Sequence, residues 1–159
     1  MGRFRVREAP ALVRGARADA GLTQAELARR AGIQQSSLAQ IEGGRRAVSE
    51  EMLERILSAA DYRPSVALAA HADRINELGR RRGLVDIRVF GSALAGEDGF
   101  HSDIDLVVTP EAGTDLFDVL LFAAEVEELT GFPVDAVSDR SRAARDGVMA
   151  SALASAVPL

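Results

Sequence analysis

The hydrophobic pattern of this chain changes period at Tyr62-Arg63-Pro64, and that break confines the fold to two unlike parts. Before the break the pattern is helical in short pieces. Leu12, Val13 and Ala16 lie on one apolar stripe, and Gly21 ends that helix. Thr23 and Glu26 have capping-box spacing, and the helix they open runs through Leu27 to about Gly32. A third helix is expected over 34–42, stopped by Gly43-Gly44. Ser49 caps a fourth that carries Met52, Leu53, Ile56 and Leu57. Residues 1–9 are polar, hold Arg3, Arg5 and Arg7, and read as a flexible or loosely docked arm.

Pro64 disfavours helix at Arg63 and marks the boundary. A helix over 65–82 follows, with Val66, Leu68, Ala69, Ile75 and Leu78 turned inward and Gly83 at its end. Strands are expected at 85–90, 104–108 and 133–137, with a helix at 115–129 and an Ala-rich helix closing the chain at 141–156. The expected class is α+β. An all-α helix-turn-helix bundle over 1–63 precedes a small mixed sheet packed by helices over 64–159.

Charge divides at the same place. Residues 1–63 carry 11 Arg against 8 acidic residues, and residues 64–159 carry 8 Arg against 16. A basic first unit can meet a phosphate backbone, and an acidic second unit can hold divalent cations. The absence of cysteine excludes disulfides and thiolate zinc sites, and two histidines argue against a His-rich metal site. The sequence has no apolar run of membrane-spanning length and no signal-peptide pattern, so a cytoplasmic protein with no membrane partner is expected.

The chemistry concentrates in Gly91-Ser92, a ten-residue spacer, then Asp103-Ile104-Asp105. Two aspartates two apart on a strand share a face, and their like charges favour a cation beside them. Hard oxygen ligands suit Mg²⁺ or Mn²⁺, which typically join carboxylates to substrate phosphates. Gly91 lets backbone approach a phosphate, and the Ser92 hydroxyl can donate to it. A third carboxylate, Asp135, stands in an apolar strand, where a place beside the first pair explains it. Asp98, Glu97 and His101 in the spacer read as plain loop residues, and Arg80-Arg81-Arg82 as a solvated helix end.

Residues 85–138 resemble the polymerase-beta type of nucleotidyltransferase, and the short unit resembles the minimal nucleotidyltransferase antitoxins, including the Ala-Val-Pro-Leu ending. The resemblance implies that Asp103 and Asp105 hold two metals and that Asp135 completes the second site and activates an acceptor hydroxyl. It implies that Gly91 and Ser92 hold the β- and γ-phosphates of ATP. Family members of this small type transfer AMP to a tyrosine of a HEPN-type ribonuclease toxin.

The run from Leu22 to Glu42, with its Gly-Gly-Arg-Arg stop, resembles the helix-turn-helix of phage repressors of the XRE/Cro family. That resemblance implies base contacts from Gln34, Gln35, Ser36 and Gln40, phosphate contacts from Gln24, Arg45 and Arg46, and a homodimer on two half-sites. Together the two resemblances imply a type VII-like antitoxin. Such a protein modifies its toxin partner with Mg-ATP and represses its own operon by binding operator DNA. A non-enzymatic repressor with a nucleotide-sensing or toxin-docking fold, and a nucleotidyltransferase toxin, are the alternatives.

Overall fold

The computed structural model describes residues 2–146 and 148–159. The first unit is built from α1 (Ala9–Asp19), α2 (Gln24–Ala31), α3 (Gln35–Glu42) and α4 (Glu50–Ala59). Local chemistry sets their ends. Thr23 accepts from the Glu26 N–H while Glu26 takes the Thr23 N–H at 2.7 Å, so the capping box forms as expected. Ser49 accepts from the Met52 N–H and opens α4. Val13, Ala16, Leu27, Leu38, Ile41, Leu53, Ile56 and Leu57 bury against one another between these helices.

The second unit comprises α5 (Pro64–Arg81), β1 (Leu84–Phe90), α6 (Ser92–Ala95), β2 (Ile104–Pro110), α7 (Leu116–Thr130), β3 (Val134–Ser138), α8 (Arg142–Arg145), α9 (Val148–Ala154) and β4 (Val157–Pro158). The sheet order is β3-β2-β1-β4. The β2–β3 pair is parallel and the other two pairs are antiparallel, which makes the sheet mixed. Ile87 and Val89 of β1 and Ile104, Leu106 and Val108 of β2 enter one buried cluster with Leu68 and Ile75 of α5 and Val119, Phe122 and Val126 of α7. Alternation along β2 therefore sends Asp105, Val107 and Thr109 to the opposite face. The first unit's buried residues belong to the same continuous core.

Three expectations need correction. The closing helix is not continuous over 141–156: it gives way to α8, α9 and then β4. The outer edge of β1 would otherwise present unpaired backbone groups. Val157 pairs there with Val89, and the Leu159 N–H bonds to the Ile87 carbonyl at 3.0 Å. The arm is docked rather than loose at its start, because Phe4 is buried with its ring centre 5.8 Å from that of Tyr62, 5.8 Å from that of Phe132 and 5.9 Å from that of Phe100. Ala69 lies on the exposed side of α5, since the buried stripe runs through Ala67, Leu68, Ile75 and Gly79.

Candidate active site

The site forms where β1 ends beside β2 and β3. Phe90 pairs with Asp105, and Asp105 pairs with Asp135 on the parallel neighbour. Residues in register on adjacent strands project to the same face, so Asp105 and Asp135 stand side by side. Asp103 precedes β2 by one residue and shares the Asp105 side of the chain. Asp103 and Asp135 are exposed and Asp105 is half-buried. Burial pushes the Asp105 carboxyl above its ordinary value, and the neighbouring Asp135 and Asp103 charges push it the same way.

Gly91 turns the chain out of β1 with φ +73°, and Ser92 opens the single turn of α6. A Cβ at Gly91 would lie 2.2 Å from the Asp105 Oδ2 atom. Only glycine allows the backbone to pass that close to a carboxylate oxygen. The structure thus brings Gly91, Ser92, Asp103, Asp105 and Asp135 into one neighbourhood.

The donor set suits a hard cation. Among the described residues no three His, Asp or Glu side chains close into a metal cage. An open set of carboxylates matches Mg²⁺, which takes its remaining ligands from water and phosphate oxygens. The crowded Asp105 charge gives such a cation a reason to bind.

Sequence reasoning missed several polar groups outside this centre. Arg88, Thr109 and Asp139 form a network beyond it: Thr109 Oγ1 donates to Asp139 Oδ2 at 2.6 Å and Arg88 Nη2 lies 3.1 Å from the same oxygen. Asp98, expected to be plain loop, is buried and accepts the Ser65 N–H at 2.6 Å, which ties the spacer to the start of α5. His101 does remain on the exposed loop surface. Arg3 reaches from the arm to the carbonyls of Gly131 and Phe100, both at 2.7 Å. Burial lowers the Arg3 guanidinium from its ordinary value, against the pull of Glu54 and Asp103. No local pattern in the sequence marks Phe4 or Arg3, because their partners lie far along the chain.

Comparison with known proteins fits this geometry. Residues 11–71 match the profile of a helix-turn-helix domain family. Residues 74–159 match the profile described as polymerase beta, nucleotidyltransferase, more than half of the chain. The chain belongs to the polymerase beta nucleotidyltransferase family. A solved structure described as a minimal nucleotidyltransferase is 37% identical, with a TM-score of 0.54, and the match covers 62% of this chain and 98% of that one. No curated protein matches. This nucleotidyltransferase therefore carries a helix-turn-helix unit ahead of its transferase domain, as the sequence resemblances implied. Among the described residues no helix is long and apolar enough to cross a membrane.

On the helix-turn-helix unit, Gln34, Gln35, Ser36 and Gln40 are exposed along α3, with Arg45 and Arg46 exposed just beyond it. Arg46 Nη1 donates to the Ser37 hydroxyl at 2.8 Å. Gln24 is turned differently: its amide donates to Glu42 at 2.9 Å. Glu42 is buried and also receives Arg17 at 2.6 Å, a pairing that the sequence did not reveal.

Proposed function

We propose that this nucleotidyltransferase moves AMP from Mg-ATP to a hydroxyl of a partner protein encoded beside it, a tyrosine of a HEPN-type toxin in the simplest case. Its helix-turn-helix unit would bind the operator of the same operon as a homodimer and repress it. The observation that carries the reading is the row formed by Gly91, Asp105 and Asp135 across the ends of β1, β2 and β3.

In this reading Gly91 and Ser92 hold the β- and γ-phosphates. Asp103, Asp105 and Asp135 would hold the cation, which would supply positive charge against the triphosphate. The acceptor oxygen bonds to the α-phosphorus, the bond from that phosphorus to the bridging oxygen breaks, and pyrophosphate leaves with the electron pair. Asp135 takes the hydroxyl proton.

Two features support a macromolecular setting. Leu116, Phe117, Leu120 and Leu121 form an exposed apolar stripe on the outer side of α7, with Phe117 at 74% exposure, as expected where another protein packs. The exposed face of α3 offers Gln34, Gln35, Ser36 and Gln40 to base edges and Arg45 and Arg46 to phosphates. With its side chain held by Glu42, Gln24 would reach a phosphate through its backbone N–H at the start of α2.

The test mixes the full chain, Mg-ATP and the product of the adjacent gene. An AMP adduct on that product, with loss of its toxicity, is the expected result. Neutralisation without any adduct would leave a non-enzymatic regulator and overturn the transferase reading.

A further inference from the structure

We propose that the N-terminal arm is a working part of the transferase site, with Arg3 as a positioning residue for Asp103 and Asp135. The proposal rests on the transferase reading above. Asp105 and Asp135 are fixed to each other by the β2–β3 ladder. Asp103 lies one residue outside β2 at the end of the spacer loop, and the Ile104 N–H of the peptide that follows it donates to the Pro133 carbonyl at 2.8 Å. That bond holds the C-terminal side of Asp103, and the spacer loop on its other side needs a restraint of its own if Asp103 is to share a cation with the strand carboxylates.

Arg3 supplies that restraint. Its Nε donates to the Gly131 carbonyl and its Nη2 to the Phe100 carbonyl, each at 2.7 Å. Phe100 stands three residues before Asp103, and Gly131 stands four residues before Asp135. One planar guanidinium thereby joins the two segments that deliver those carboxylates. It also lies 4.4 Å from the Phe100 ring centre and 4.6 Å from that of Phe132, so its plane is held by stacking as well as by hydrogen bonds. Phe4 locks the arm in place. At Gly131, where φ is +80°, a Cβ would come within 2.4 Å of the Phe4 ring, so the two are packed without room for a side chain.

The geometry demands arginine in particular. A lysine keeps the charge but cannot bridge two carbonyls in one plane. The test uses full-length wild type, Arg3→Lys and Arg3→Gln. Mn²⁺ binding in the presence of ATP is followed by electron paramagnetic resonance, and transfer is measured alongside as KM and kcat. Operator binding and the thermal midpoint report folding. Both variants are expected to bind Mn²⁺ roughly tenfold more weakly, with a lower kcat and unchanged operator binding, in the range seen when groups that orient metal ligands are removed. A purely structural role would lower the thermal midpoint and leave the Mn²⁺ affinity of the folded fraction unchanged, which would overturn the proposal. Full Mn²⁺ affinity in Arg3→Lys would overturn it as well, because charge alone would then suffice. Wild type that binds Mn²⁺ but transfers nothing would count against the transferase reading, while the ratio between variant and wild-type Mn²⁺ affinity still decides the role of Arg3. Wild type that binds no Mn²⁺ overturns both.

Discussion

Glu42 in the helix-turn-helix unit and Asp105 in the transferase unit are both carboxylates drawn out of water, and their surroundings push them in opposite directions. Burial raises Glu42, but hydrogen bonds from Arg17 and Gln24 and the charges of Arg17 and Arg14 outweigh it and leave the carboxylate below its ordinary value. Burial raises Asp105 too, and there the neighbours are Asp135 and Asp103, which add to the rise. The first carboxylate is satisfied by its own protein. The second has like charges for neighbours. A buried acid with its partners present serves the fold, whereas a half-buried one crowded by like charges is a candidate place for a ligand.

The widest separation between the two should come from removing the carboxylates of the second unit. The double change Asp103→Ala, Asp105→Ala should lower transfer by roughly a thousandfold or more, the equivalent of about 4 kcal/mol of transition-state stabilisation. Operator binding by gel shift should be unchanged. Retained transfer would break the comparison at once.

Next in size is Glu42→Ala, which leaves Arg17 with its partner gone and should destabilise the protein by about 3 kcal/mol in a denaturant titration. The sign with pH follows from the lowered carboxyl. Its contribution is present above the ordinary value of 4.5 and is lost as pH falls through the depressed one. The gap in stability between wild type and Glu42→Ala should therefore shrink in acid and stay constant near neutrality.

Gly91→Ala comes third. Gly91 has φ 73° and ψ −152°, a region almost reserved for glycine that costs an L residue about 1–3 kcal/mol, and the new methyl group must also displace the Asp105 carboxylate. Thermal unfolding should show the loss, and transfer should fall with it. The smallest effect has the opposite sign. Asp105→Asn relieves like-charge crowding, so without divalent cation the thermal midpoint should rise slightly. Mg-ATP should then stabilise wild type and not the variant. A midpoint lowered by Asp105→Asn would show that the carboxylate is satisfied internally, as Glu42 is.

Legibility in the sequence followed the range of the interactions. The capping box of Thr23 and Glu26 and the stop at Gly32 are written within ten residues, and the structure has both. Gly91, Ser92, Asp103 and Asp105 lie close in sequence because a turn and a strand bring them together, so their spacing carried the geometry. Asp135 needed only the recognition that a carboxylate in an apolar strand is unusual. The arm was misread because the neighbours of Phe4 are Tyr62, Phe100 and Phe132, each more than fifty residues away. The strand at Val157–Pro158 is too short to show any period, and its cause is the open edge of β1. Asp98 looked like a loop residue because its partner, the Ser65 N–H, belongs to a distant helix. Arg17 and Glu42 sit in separate helices, so neither announces the other.

The central claim is that the crowded aspartates serve transfer of a nucleotidyl group. Incubating the full chain and the adjacent gene product with Mg-ATP labelled at either the α- or the γ-phosphate tests it most directly. The label at the α-phosphate should appear on the partner protein, while the γ-label should leave with pyrophosphate. Incorporation of the γ-label, or of neither, would contradict it.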